Sequence, residues 1–328
     1  MMDQLISQFP EQLKEAIAIG EAATINKKDG INNVYVAGMG GSGIGANFVA
    51  SFIREESKIP YLVGKGYDVP NYIDENTLAI ASSYSGNTEE TLFSFEQMIE
   101  KGAKVVVIAS GGKLIEKAKA LDLDYIQVPP NSPSPRACLG YSMVQQLFIL
   151  NKMGLISSTV IDQMRNSIQL LVDNQEAIKV EAKAAAEKLH GKIVCIYTTD
   201  RTAPVALRFR QQVNENSKCL AWEGIIPEQN HNELVGWTKS TDQLAAIYFR
   251  NKNDRPRNQK RIEINKTILG RYIDTILEVY SKGDNQVAQS IYLVHFGDWI
   301  SWYLAELGGV DAIEINVIDF LKGELAKS

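Results

Sequence analysis

Two short runs of small residues hold the strongest chemical signal in this chain. Gly38-Met39-Gly40-Gly41-Ser42-Gly43 and Ser82-Ser83-Tyr84-Ser85-Gly86-Asn87-Thr88 each follow an apolar run and open a helix-like pattern. Glycine lets backbone N–H groups approach an anion closely, hydroxyls donate further hydrogen bonds, and a helix N-terminus adds donors and a favourable dipole. Gly41, Ser42, Ser83, Ser85 and Thr88 are therefore expected to cradle one phosphate, and a phosphorylated small molecule is the first ligand to consider. The plainer reading of the hydroxyls is as turn and helix caps, the commonest fate of Ser and Thr before a helix, and the two roles are compatible. Glu89 and Glu90 suit the first turn of a helix but would repel a phosphate, so the cradle requires them to point to solvent.

Gly38, Gly40 and Gly43 also match GxGxxG, the dinucleotide fingerprint. That reading wants an acid at the end of the second strand to hold the ribose hydroxyls, whereas this chain offers Gly64-Lys65-Gly66 there, and Glu55 and Glu56 fall too early. The second hydroxyl loop has no part in a dinucleotide site but fits a compact phosphate monoester held at two strand ends. The monoester is the favoured ligand.

These loops need a scaffold, and the pattern supplies one. After an amphipathic helix expected over Gln4 to Thr24, short apolar strands are expected at Asn33 to Ala37, Tyr61 to Val63, Thr77 to Ser82, Lys104 to Ala109 and Tyr125 to Val128, with helical segments between. Such alternation implies parallel βαβ units, both sheet faces covered and ligands at the carboxyl ends of the strands. Pro129 to Arg136 is a proline-dense loop that continues neither kind of element. A helical region over Tyr141 to Leu189 leads to a second strand set at Lys192 to Thr199, Gln243 to Arg250 and Thr275 to Val279. Two long apolar helices, about Asn285 to Leu307 and Asp311 to Ala326, follow, a surplus of apolar surface suited to packing on another domain or subunit. Two domains are expected, 1–155 and 156–328.

Composition narrows the partners. With 34 Lys+Arg against 39 Asp+Glu and no basic block, nucleic acid and anionic membranes are poor partners. Cys138, Cys195 and Cys219 are odd in number and lack CxxC spacing, as reduced structural thiols of a cytoplasmic protein would. Met1 to Gln12 shows no basic start followed by an apolar core, and no apolar run approaches spanning length, so neither export nor a membrane span is expected.

Four charged residues stand out downstream. Glu215 lies at the end of a helical stretch, where the dipole disfavours an acid and neither Asn214 nor Asn216 supplies a compensating charge. Its ordinary reading is a solvated carboxylate. His231, one of three histidines, sits in the polar turn Pro227 to Glu233 with no second His or Cys at ligand spacing, so a metal site is not expected. Arg136 follows Pro133 and Pro135, which stiffen its approach; an ordinary salt bridge is the alternative. Lys322 shares a helical stripe with Ile315, Ile318 and Leu325, which would put an ammonium among apolar neighbours; a surface pair with Asp319 or a snorkelling stem is the alternative.

The loops Gly40 to Gly43 and Ser83 to Thr88 resemble those of the sugar isomerase (SIS) domain, and Pro135-Arg136, Asn214-Glu215-Asn216 and His231-Asn232-Glu233 resemble the bifunctional phosphoglucose/phosphomannose isomerase family. The resemblance runs over nearly the whole chain. It implies an α/β fold of two SIS-type doubly wound parallel-sheet domains with helices on both faces, a homodimer with active sites at the subunit interface, and no metal or other cofactor. It also implies interconversion of glucose 6-phosphate or mannose 6-phosphate with fructose 6-phosphate. On it, Glu215 is the base that moves a proton between C2 and C1, His231 with Lys322 opens the sugar ring, and Arg136 stabilises the enediolate. Lys327 is the other choice for the late lysine. The rival reading is a non-catalytic SIS protein that binds sugar phosphates as a regulator. A glucosamine-phosphate synthase would need a glutaminase domain with an N-terminal cysteine, which Met1 and Met2 do not offer.

Overall fold

The computed structural model describes residues 1–327. In chain order the elements are α1 (Met2–Ser7), α2 (Phe9–Ala22), β1 (Asn33–Ala37), α3 (Gly40–Phe52), β2 (Tyr61–Gly64), β3 (Thr77–Ser82), α4 (Glu89–Glu100), β4 (Lys104–Ala109), α5 (Gly112–Ala120), β5 (Asp124–Gln127), α6 (Leu139–Lys152) and α7 (Thr159–Leu189). They continue with β6 (Ile193–Thr199), α8 (Ala203–Ser217), β7 (Ala221–Ile226), β8 (Leu244–Arg250), α9 (Pro256–Leu269), β9 (Ile276–Tyr280), α10 (Gln286–Gly308) and α11 (Asn316–Leu325). The expected helix over Gln4 to Thr24 is in fact two, because Pro10 at the start of α2 has no N–H for the preceding turn. The helical region expected from Tyr141 to Leu189 divides at Gly154, which adopts φ +75° after α6.

The chain forms two compact units, one from Ser7–Val172 with Gly283–Ala288, the other from Met1–Ile6, Asp173–Lys282 and the residues from Gln289 onward. The boundary drawn at 155/156 lies in the loop before α7, whereas the units divide inside that helix. No glycine or proline interrupts α7, so nothing local ends it where one unit gives way to the other.

In the first unit five parallel strands run in the order β2-β1-β3-β4-β5. The chain winds one way from β1 to β2 and the other way from β3 to β5, so right-handed crossovers put α3 on one face and α4 and α5 on the other. Tyr35, Ala37, Ala79, Ala81, Val105 and Val107 pack with Phe95 and Met98 of α4 and Leu114, Ile115 and Ala118 of α5. The alternate residues Val34, Val36, Leu78, Ile80, Val106 and Ile108 are equally buried and point to the α3 face. Burial on both faces is what the unbroken apolar strands of a parallel sheet require.

The second unit holds four parallel strands in the order β7-β6-β8-β9. Cys195, Tyr197, Ala246 and Tyr248 pack with Ile262 and Leu269 of α9. On the other face the Phe209 ring of α8 meets the Phe249 ring edge-on at 5.3 Å. Here too the winding reverses between adjacent strands, β6 and β8. At those strand ends Asp254 accepts a hydrogen bond from the Thr199 hydroxyl at 2.8 Å and another from the Asn251 backbone N–H at 3.1 Å. Among the described residues no helix is long and apolar enough to cross a membrane.

Candidate active site

The two small-residue loops leave the first sheet where its winding reverses. Ala37 of β1 is in register with Ala81 of β3, so the two strands end level and their loops emerge side by side. This is the position at which open α/β sheets bind ligands. Gly38 makes the approach possible: a Cβ there would lie 2.9 Å from the Ser82 carbonyl oxygen and 3.2 Å from the Ser42 Cβ. Gly41 and Ser42 form the first turn of α3, with the Ser42 N–H turned back onto the Met39 carbonyl at 3.0 Å. In the second loop Ser83 Oγ and Thr88 Oγ1 are 2.8 Å apart, Ser83 Oγ accepts from the Gly86 N–H at 3.2 Å, and Ser85 Oγ accepts from the Asn87 N–H at 3.2 Å. Glu89, which would oppose an anion, is exposed and accepts a hydrogen bond from the Tyr67 hydroxyl at 3.0 Å.

Arg136 joins these loops. Its short 3-10 turn, Pro135–Ala137, sits against the tip of α3, where a Cβ on Gly41 would be 3.3 Å from the Pro135 carbonyl oxygen and 3.7 Å from the Arg136 Cα. The residue is 6% exposed. Two residues that the sequence reading did not single out for this purpose hold the assembly. Tyr84, inside the second loop, donates to the Pro129 carbonyl at 2.9 Å and accepts from the Ser132 N–H at 3.0 Å, pinning the proline-dense segment. Burial, with Cys138 beside it, pushes the Tyr84 phenol up to about 12, so it remains protonated and able to donate. Ser142 of α6 lies 3.2 Å from the Ser82 hydroxyl and donates to the Ser42 carbonyl at 3.3 Å, tying the two strand ends together.

Glu215, His231 and Lys322 belong to the second unit. Glu215 is half-buried in the last turn of α8, the expected place, with Asn214 donating to the Cys219 carbonyl at 2.7 Å and Asn216 to the Ser301 hydroxyl at 2.9 Å. Both flanking amides are thus committed to fixing the helix end. His231 is exposed at the end of the 3-10 turn Glu228–His231. That turn is seated by a buried amide chain: Gln229 Oε1 accepts from the Asn230 side-chain amide at 2.8 Å and from the Asn265 side-chain amide at 2.6 Å, and Asn265 Oδ1 accepts from the Tyr248 hydroxyl at 2.5 Å. Glu233 accepts from the Tyr197 hydroxyl and anchors the far side of the same loop. Desolvation holds the phenols of Tyr197 and Tyr248 well above their usual range, which keeps both as donors.

Lys322 departs from the surroundings expected for it. No residue of α11 is buried, and Lys322 is 69% exposed, with Asp319 4.0 Å away. The apolar spacing of this helix describes a face, and within its unit that face is uncovered, so the ammonium is solvated rather than set among apolar neighbours. Lys327, the other choice, is equally exposed and pairs with Glu324 at 2.6 Å. Among the described residues no three His, Cys, Asp or Glu side chains are grouped so that they could hold a metal ion.

A doubly wound parallel sheet whose two small-residue loops emerge at its winding reversal, followed by a second parallel sheet, defines a protein of the SIS class. Residues 30–153 match the SIS domain model and residues 178–325 match the model of the bacterial phospho-glucose isomerase C-terminal SIS domain. The bifunctional phosphoglucose/phosphomannose isomerase of Caldicellulosiruptor bescii is 38% identical, over 99% of each chain, and that of Aquifex aeolicus is 36% identical over 90% of each. In fold, the C-terminal domain of glucosamine-fructose-6-phosphate aminotransferase from Francisella tularensis superposes with a TM-score of 0.77 at 15% identity, covering 95% of this chain and 97% of that one. The chain belongs to the bifunctional phosphoglucose/phosphomannose isomerase family.

Proposed function

We propose that the protein interconverts glucose 6-phosphate and mannose 6-phosphate with fructose 6-phosphate. The observation that carries this is the side-by-side emergence of the two small-residue loops with the Arg136 turn seated against Gly41. That arrangement fits a phosphate monoester next to a fixed cation, and it supports the activity named in the relatives. In this reading backbone and hydroxyl donors at Gly41, Ser42, Ser83, Ser85 and Thr88 hold the 6-phosphate. His231, assisted by Lys322, moves protons between ring oxygen and C1 hydroxyl as the ring opens, since imidazole serves as both acid and base. Glu215 takes the proton from C2, the electron pair passes into a cis-enediolate, and, as the O2 proton passes to O1, the same carboxylate returns its proton to C1 to leave the C2 ketone. The Arg136 guanidinium stabilises the enediolate oxygen without giving up its own proton.

No metal or cofactor is needed for that sequence of steps. A sugar able to rotate about C2–C3 in the site would present either epimer's C2 proton to one base, which accounts for both substrates. A homodimer with active sites at its interface, working in the cytoplasm, completes the reading.

The test is an assay of the metal-chelated protein with each aldose phosphate, detecting fructose 6-phosphate, beside Glu215→Gln. Turnover of both sugars with a loss of about 10²–10⁴-fold in the variant supports Glu215 as general base. Binding of both sugars without conversion by the unaltered protein would leave a sugar-phosphate sensor instead.

A further inference from the structure

The residue after α8 is of the wrong type for its backbone. Lys218 adopts φ +56° and ψ 30°, the left-handed conformation that favours glycine at a helix C-terminus. Its side chain explains why a lysine is nonetheless there. The ammonium has three N–H donors, and they meet three backbone carbonyls: Glu215 at 2.8 Å, Asp311 at 2.7 Å and Glu314 at 2.8 Å. The first belongs to the last turn of α8, whose dipole favours a cation. The other two belong to the connection between α10 and α11. Within that connection Ala312 is buried and the Ile313 N–H donates to the Asp311 carboxylate at 2.8 Å, whereas α11 itself buries nothing.

We propose that Lys218 is a positioning residue, a clamp that fixes the root of α11 to the end of α8 and so holds Lys322 in a set relation to Glu215. The inference rests on the roles proposed above for Glu215 and Lys322. Glycine would suit this backbone better, but only a long cationic side chain reaches all three carbonyls. The clamp acts through backbone atoms and touches no substrate.

Three variants separate clamp from backbone. Lys218→Gly removes the ammonium and relieves the left-handed strain; Lys218→Met removes the ammonium and keeps the strain; Lys218→Arg keeps a cation with several donors. Amide hydrogen exchange is read across residues 311–325, alongside steady-state kinetics with fructose 6-phosphate. In both Gly and Met variants, exchange across 311–325 is expected to accelerate while the amides of β6 and β8 stay protected. Lost placement is expected to lower kcat by roughly 10- to 100-fold, with KM little changed because the phosphate loops lie in the other unit. Lys218→Arg is expected to recover most of both.

Unaltered exchange across 311–325 in Lys218→Gly overturns the clamp, whatever the activity. A fall in kcat that Lys218→Arg does not reverse overturns the positioning role. If the unaltered protein shows no turnover, the isomerase reading and the positioning role fall together, and the exchange data still decide whether the clamp exists.

Discussion

The hydroxyls of Ser83 and Thr88 lie 2.8 Å apart across the turn that follows β3. Thr88 occupies the N-cap position of α4, yet its side chain makes no capping bond there. Two hydroxyls joined by one hydrogen bond use one of their two protons, which leaves the other to donate to an incoming acceptor. In the proposed site that acceptor is the 6-phosphate of the sugar.

Replacing either hydroxyl, in Ser83→Ala or Thr88→Val, is expected to weaken the hold on the phosphate. A hydrogen bond to a charged group contributes about 1.5–3 kcal/mol, so KM for a hexose 6-phosphate should rise roughly ten- to a hundredfold with kcat little changed. Saturation kinetics with fructose 6-phosphate check this, and an unchanged KM in both variants would remove the loop from the site.

Gly86 closes the same turn at φ +68°, and a Cβ there would run into the Gly111 carbonyl oxygen. Gly86→Ala combines a left-handed backbone with a contact against main chain that has no rotamer to give way. A cost of about 2–3 kcal/mol is expected, visible as a lower urea midpoint. Stability equal to the unaltered protein would show that the loop relaxes freely.

The amide chain beneath His231 predicts a different kind of loss. Asn265→Ala strips partners from Gln229 and Tyr248, both buried. Leaving such groups unsatisfied costs about 1–3 kcal/mol. Faster hydrogen exchange at residues 228–233 is expected beside the lower stability, and a stable variant with an unchanged loop would refute the anchoring role.

His295 supplies the pH dependence. It is fully buried on α10, 3.2 Å from both Gln175 Oε1 and the Trp299 indole nitrogen, and burial, with Lys179 nearby, lowers its pKa from 6.5 to about 3. The folded protein keeps the imidazole neutral, whereas the unfolded chain binds a proton below pH 6.5. Its contribution is therefore complete above that pH and is lost as pH falls toward 3, by about 1.4 kcal/mol per unit over most of that interval. Urea unfolding between pH 6.5 and 5 should show a steeper loss of stability in the unaltered protein than in His295→Gln; equal slopes would contradict the assignment.

Much of the scaffold was legible from sequence alone. β1, β3 and β4 begin and end where expected because each is a continuous apolar run closed by small or polar residues. β7 was not foreseen: Ala221–Ile226 is a half-buried edge strand in which Trp222, Glu223 and Gly224 obscure any alternation. The position of the glycine and hydroxyl loops at strand ends could be read because a tight turn into a helix start is a local property of the backbone. The contacts that organise them could not, since Ser142 reaches Ser82 across 60 residues of sequence and Tyr84 reaches Pro129 across 45. Lys322 marks the same limit, for helical spacing reveals an apolar stripe without saying whether anything covers it.

The carboxylate at the second winding reversal bears on stoichiometry. At the ends of β6 and β8, Asp254 already takes a hydroxyl proton and a backbone N–H, the two kinds of donor with which the first sheet would meet a phosphate. The chain carries its own anion there, and a second one would be repelled. Although the architecture is repeated, each chain should therefore titrate with a single equivalent of sugar phosphate.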